Sequence, residues 1–195
     1  MDAVADIGGR IELKRGAFDF ARREVEVGWF PACLFLSMMP ESRHGSVAVG
    51  WHIQPFIGMG ALRFGMSPSA VADLIGAPER TRARESRLRE FREVDRPILT
   101  YDRTKLVEIE AFYDVPAVTY QSMDVFGVPG LECLQTLEAA NGGALHNVGV
   151  VLFAQIGLTC GRLDEETLGD HSITAFARGL WDGRHDRFKP ITFLR

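Results

Sequence analysis

Phe64-Gly65-Met66-Ser67-Pro68-Ser69-Ala70-Val71-Ala72-Asp73-Leu74-Ile75-Gly76-Ala77-Pro78 reads as a helix with both of its ends written in. Ser67 suits the N-cap, because its hydroxyl can accept from a free backbone N–H of the first turn. Pro68 then falls at the first helical position, where its missing N–H costs nothing. Met66 before the cap and Val71 in the fourth helical position have the spacing of a hydrophobic staple. Val71, Leu74 and Ile75 follow i, i+3, i+4 and predict one apolar stripe. Gly76 is placed for a left-handed C-terminal residue, and Pro78 bars continuation. A helix of about two to three turns is marginal by itself, so this stripe must pack on another element.

Downstream lies a charged segment, Glu79 to Val94. It sets Arg80, Arg82, Arg84, Arg87, Arg89 and Arg92 among Glu79, Glu85, Glu90 and Glu93. The interleaved glutamates should cancel much of the positive field, which predicts a solvated, salt-bridged edge or loop. Three strand-like runs follow: Pro97 to Tyr101, Leu106 to Tyr113 and Val118 to Met123. In the second, Leu106, Glu108 and Glu110 alternate with Val107, Ile109 and Ala111. Short turns between the runs predict an antiparallel meander. Upstream, Trp51 to Phe56 leads into a glycine-rich turn, Ile57-Gly58-Met59-Gly60, and Leu62 to Phe64 approaches the helix.

The pattern returns. Phe126-Gly127-Val128-Pro129 echoes Phe64-Gly65-Met66-Ser67-Pro68, and Ile173-Thr174-Ala175-Phe176 echoes Ile109-Glu110-Ala111-Phe112. Between them, Leu131, Leu134 and Leu137 predict a second short helix stopped by Asn141-Gly142-Gly143. Val148 to Ala154 is a β-prone run. Two matches in order at nearly one offset predict a duplicated unit. The expected fold is α+β: two tandem units of short helix plus antiparallel sheet, residues 50–123 and 124–195, after an N-terminal extension. That extension, residues 1–49, ends near the polar break Met39 to Gly45. It is expected either to dock on the core or to form a partly disordered arm, and Met38 and Met39 are alternative translation starts.

With 195 residues, 46% apolar and 25% charged, the chain has the composition of a soluble globular protein with a real core. A net charge of −4 demands neither nucleic acid nor an anionic membrane. Cys33, Cys133 and Cys160 are too sparse for a disulfide framework, so reduced thiols and a cytoplasmic location are expected. The apolar run Trp29 to Met39 is too short to span a membrane, and acidic Glu24 and Glu26 interrupt the approach a signal peptide would need.

A Phe-Gly-Met-Ser-Pro lead into a short helix ending Leu-Ile-Gly-Ala-Pro, followed by antiparallel strands, resembles the repeat unit of the β-lactamase-inhibitor-protein-like fold. The small outer-membrane assembly lipoproteins carry one such unit. The likeness covers Gly60 to Tyr113 and extends more loosely over Asp124 to Arg178. The chain has neither the lipobox nor the intra-repeat cysteine pairs of the exported members. What the resemblance implies is a protein that binds other proteins with the face of its sheet, inhibitor-like or immunity-like, without catalysis.

The residues themselves offer little chemistry. There is no G-x-S-x-G elbow, and Cys160 with Asp170 and His171 is the one nucleophile-and-base arrangement to consider. The histidines His44, His52, His146, His171 and His185 form neither H-x₃-H nor H-E-x-x-H. Asp182-Gly183-Arg184-His185-Asp186 reads as a polar turn. The G-x-G at Gly58 and Gly60 lacks the βαβ context of a dinucleotide fingerprint. No cofactor and no metal are expected, and the expected partner is another protein rather than nucleic acid or membrane. Tyr101, Tyr113, Tyr120 and Trp181 fall on or beside the predicted strands and are the candidate anchors on a sheet face. The alternative is a small-ligand protein or enzyme using a cleft between the units, with polar groups from Cys160, His171 or Asp182 to Asp186. A structural domain with no specific ligand is a third reading.

Overall fold

The computed structural model describes residues 50–194. The chain divides into two units, Met1–Arg43 and His44–Arg195, and every element below belongs to the second. The expectations placed on residues 1–49 (the extension, its strand-like runs, Cys33 and the alternative starts) lie outside the described residues.

The helix read from the sequence forms as α1, Pro68–Ile75. The Ser67 Oγ accepts from the Ala70 N–H at 3.2 Å, and Pro68 opens the first turn. Gly76 takes φ 87° with ψ 163°, a positive φ but not the left-handed helical residue expected; its N–H still donates to the Ala72 carbonyl. The stripe is narrower than i, i+3, i+4. Val71 is fully buried and Ile75 partly buried, whereas Leu74 is 52% exposed. Leu74 lies about 100° around the axis from Ile75, on the flank away from Ala72, so only one edge of the stripe meets the core.

Before α1 come three short strands, β1 (Trp51–Gln54), β2 (Gly58–Met59) and β3 (Leu62–Arg63). After it come β4 (Arg80–Arg84), β5 (Arg87–Phe91), β6 (Ile98–Asp102) and β7 (Lys105–Phe112). Then β8 (Val118–Tyr120) and β9 (Met123–Asp124) precede α2 (Gly130–Asn141). The chain finishes with β10 (Ala144–Asn147), β11 (Val150–Phe153), β12 (Leu158–Gly161), β13 (Ser172–Phe176) and β14 (Lys189–Ile191). The class is α+β, with far more strand than helix.

These strands make two sheets. One has five strands in the order β3-β2-β1-β8-β9, and the other has nine in the order β14-β10-β11-β12-β13-β7-β6-β5-β4. All pairs of the larger sheet are antiparallel. The expected three-strand meander is therefore only partly correct. β6 and β7 pair as predicted, but the third run, β8, leaves for the smaller sheet and lies parallel to β1. Parallel pairing needs a long crossover, and the whole of β2 to β7 supplies it.

A bulge sets which side chains of β7 face the core. Thr100 pairs with Glu108 and Tyr101 with Leu106, so Val107 is the extra residue. Leu106 thereby joins Ile109 and Ala111 in full burial, although strict alternation put it beside Glu108 and Glu110. The smaller sheet (Trp51, Ile53, Met59, Leu62, Val118, Tyr120) and the helices (Val71, Cys133, Leu134, Leu137) share one core with the near face of the larger sheet (Leu99, Tyr101, Ile109, Phe153, Leu158, Cys160, Ile173, Ala175).

The second helix also forms, and Asn141 is its last residue. Its N–H-to-carbonyl chain is closed by Gly142, left-handed at φ 75°, ψ 30°. Leu131, expected on the stripe, is 46% exposed; Cys133 takes its place inside. Gly130 starts the helix against the Leu163 carbonyl, where a Cβ would collide with backbone. Glu138, buried on the same helix, accepts from the Phe193 N–H at 2.6 Å and the Leu194 N–H at 3.1 Å. It clips the C-terminal segment onto α2.

Candidate functional site

The far face of the nine-stranded sheet follows from register. On β4 and β5, Arg82 stands opposite Arg89 and Arg84 opposite Arg87, so all four project to one side. Arg89 continues to Thr100, Thr100 to Glu108, and Ile98 to Glu110. Glu110 stands opposite Thr174, Thr174 opposite Thr159, and Gly161 opposite Val150. Leu99, Ile109, Ile173, Leu158 and Cys160, one residue out of phase, face the core. A groove of about 490 Å³ runs along this far face from Arg82 and Arg84 to Val150, with Trp181 in its wall.

The charged segment is thus a β-hairpin on the edge of the sheet rather than a loop. Glu85 and Ser86 form its two-residue turn, and Glu85 takes φ 54°. Two of the glutamates expected to cancel the arginines are not on their face. Glu85 sits in the turn. Glu90 points the other way and is 3% exposed; its Oε2 accepts from the Tyr101 hydroxyl at 2.9 Å and from the Arg92 guanidinium at 3.0 Å. Arg92 Nε also donates to the Gly76 carbonyl at 3.2 Å, tying this network to the end of α1. Burial, together with the Glu90 carboxylate, holds the Tyr101 phenol protonated well above its ordinary range.

The groove has its own carboxylates, from β7. Arg87 pairs with Glu108 at 3.1 Å and Arg89 with Glu110. Burial raises the Glu110 carboxyl above its ordinary pKa, and the Arg89 charge only partly offsets this. Among the described residues, no carboxylate lies within ion-pair distance of Arg82 or Arg84. The buried Nε of Arg89 has no hydrogen-bond partner there either.

The other end of the groove is small and neutral: Thr159, Gly161, Ser172 and Thr174. An aromatic cluster adjoins it. Phe176 meets Phe56 edge-on at 6.2 Å and Trp181 at 6.0 Å, and Trp181 meets Phe188 at 5.6 Å.

The four aromatic anchors expected from the sequence do not gather on this face. Tyr101 is fully buried and spends its hydroxyl on Glu90. Tyr120 is 3% exposed in the smaller sheet. The expectation of a surface role is corrected for both: their strands turn these positions toward the shared core. Tyr113 is exposed just beyond β7 but does not line the groove. Trp181, half-buried, does line it. The arginines at one end of the face were expected on a solvated, salt-bridged edge or loop, and they lie on a salt-bridged edge hairpin. Their signal was present: arginines at every second position on both sides of Glu85-Ser86, the period of a hairpin with one polar face.

Of the groups named for the alternative chemistry, Cys160, Asp170, His171 and Asp182 lie outside the groove. Cys160 is fully buried on the core side, and burial pushes its thiol well above the ordinary value. Cys133 is pushed up to about 12 by burial and then by Glu132. Such thiols are poor nucleophiles. The His171 ring is within 2.8 Å of the Glu165 carbonyl, Asp170 pairs with Arg162 at 3.4 Å, and Asp182 is exposed in a turn. None of these lines the groove. Among the described residues, no cluster of three His, Cys, Asp or Glu side chains is arranged to hold a metal ion, and no helix is long and apolar enough to cross a membrane. No protein-family model matches the sequence, and neither curated proteins nor solved structures give a match.

Proposed function

We propose that this chain is a non-enzymatic protein-binding module, inhibitor-like or immunity-like, that holds its partner on the far face of the nine-stranded sheet. The observation that carries the reading is the pairing of β7 with β13. It continues two four-stranded meanders into one sheet, and the groove on its far face takes residues from both. A polar face of this breadth, with no metal-ligand cluster among the described residues, is suited to recognition.

The same reading includes two tandem units, 50–123 and 124–195, after an extension at 1–49. Supporting it, a helix and then four antiparallel strands occur twice in the chain order. The two Ile-x-Ala-Phe stretches also lie against each other. Ile109 stands opposite Ala175 and Ala111 opposite Ile173, around Glu110 and Thr174. This is the register a local twofold axis gives to equivalent residues. A cytoplasmic setting fits the unbridged Cys133 and Cys160.

The test is affinity capture from the source organism with three forms of the protein: wild type, Thr174→Trp in the groove, and Asp73→Lys on the exposed side of α1. The reading expects a partner retained by wild type and by Asp73→Lys and lost with Thr174→Trp. A partner held equally by all three, or none above background, sinks it.

A further inference from the structure

Resting on that assignment of the sheet face, we propose that the β4–β5 arginine ladder is the docking site for an acidic segment of the partner polypeptide, with Asp or Glu carboxylates seated on Arg82 and Arg84. The argument begins with register. Arg82 faces Arg89 and Arg84 faces Arg87 directly across the hairpin, and like charges so placed repel. The inner pair is neutralised by Glu108 and Glu110. The outer pair meets no carboxylate among the described residues, and β4 ends the nine-strand order there. The hairpin therefore carries a repulsion that an incoming anion relieves.

Spacing selects the kind of anion. Arg82 and Arg84 are two residues apart on one strand, about 6.6–6.8 Å. Alternate side chains of an extended peptide repeat at the same distance, so two carboxylates can each meet one guanidinium, which is built for bidentate carboxylate pairing. A nucleic acid fits less well. Every residue of a nucleic-acid strand carries a phosphate charge, and that unbroken row would be carried over Glu108 and Glu110 next in the groove. A polypeptide can instead place a neutral or basic residue over those carboxylates.

The experiment uses a fluorescein-labelled peptide of alternating Thr and Glu and its Thr and Gln counterpart, read by fluorescence anisotropy. Wild type should bind the Glu peptide about tenfold or more tighter than the Gln peptide, with affinity falling as salt rises from about 50 to 200 mM. Arg82→Glu/Arg84→Glu should remove that preference while circular dichroism and thermal melting stay near wild type. Glu110→Gln, by releasing Arg89, should strengthen binding, a direction that damage to the fold does not produce. Equal binding of the two peptides, or an unchanged preference in the double variant, overturns the proposal. Tighter binding of a single-stranded oligonucleotide than of the Glu peptide overturns it in favour of nucleic acid. Should the captured partner be lost with Thr174→Trp yet kept at every salt by Arg82→Glu/Arg84→Glu, the ladder falls and the face stands. Should Thr174→Trp also keep it, both fall.

Discussion

The segment from α1 to β7 and the segment from α2 to β13 run the same course, a helix followed by a four-stranded meander, and stabilise it by different means. The first buries polar groups: Glu90, Arg92 and Tyr101 form a hydrogen-bonded triad under the sheet and anchor the end of α1. The second sets one buried carboxylate, Glu138, on backbone amides of the C-terminal segment, beside an apolar layer of Cys133, Leu134, Leu137, Phe153, Leu158 and Cys160. The contrast is repeated on the far face, where arginines and glutamates give way to threonine, serine and glycine. A meander of this kind fixes backbone and register, and leaves each face free to be charged or neutral. The first segment leaves a charged face there, and the second a small, neutral one.

The contrast breaks most sharply at the buried triad. Glu90→Ala leaves the buried Arg92 side chain charged without a carboxylate and should cost about 3–5 kcal/mol in denaturant unfolding. The joint change Glu90→Leu/Arg92→Met should cost much less, because it removes both charges. If the single change proves as mild as the double, the triad does not hold the first segment.

The second segment has its own buried carboxylate, Glu138. Burial alone would raise the Glu138 carboxyl, but the Phe193 amide, the Thr192 side chain and the Leu194 amide together hold it below its ordinary value near 4.5. A lowered folded-state pKa contributes stability that is present above about 4.5 and is lost as pH falls through the lower folded value. Glu138→Gln should therefore cost about 1–2 kcal/mol at pH 7, and should flatten the acid limb of a stability-against-pH curve. An unchanged acid limb would remove Glu138 as the clip.

The helix starts differ as well. α1 has a side-chain cap from Ser67, whereas Pro129 before α2 has none. Ser67→Ala should cost about 1 kcal/mol in thermal unfolding. The smallest effect has the opposite sign. Arg82→Gln removes a like-charge cross-strand contact and should stabilise the protein by a few tenths of a kcal/mol, at the expense of acidic-peptide affinity. Loss of both stability and affinity would place Arg82 in the scaffold instead.

Much of the architecture was legible because it rests on local rules. Ser67, Pro68 and Gly76 state where α1 begins and ends, and Gly142 closes α2, through interactions within a few residues of chain. The face was harder. The arginines of 80–92 announced a hairpin by their spacing, but their effect depended on where the neighbouring glutamates pointed, and that is a matter of register. Tyr101 and Tyr120 were offered as surface anchors because aromatic residues on strands carry no label for the side they face. Leu74 and Leu131 were placed on apolar stripes that the core, being narrower than the stripe, does not cover.

The amino-acid sequence by itself determined the ends of α1, the stop of α2 at Asn141-Gly142-Gly143, the strand runs of β6 and β7, and a period-two arginine pattern. Only the tertiary structure decided that β8 would leave the meander for β1, that a bulge at Val107 would turn Leu106 inward, and that β7 would meet β13 to join two meanders into one sheet. The reason is physical. Caps, turns and alternation are settled by neighbours along the chain, whereas strand partners are chosen by which distant surfaces bury the most apolar area while satisfying every backbone hydrogen bond. The charge on Arg82 and Arg84 belongs to the sequence; the face on which it is presented, and the lack of a described carboxylate beside it, belong to the fold.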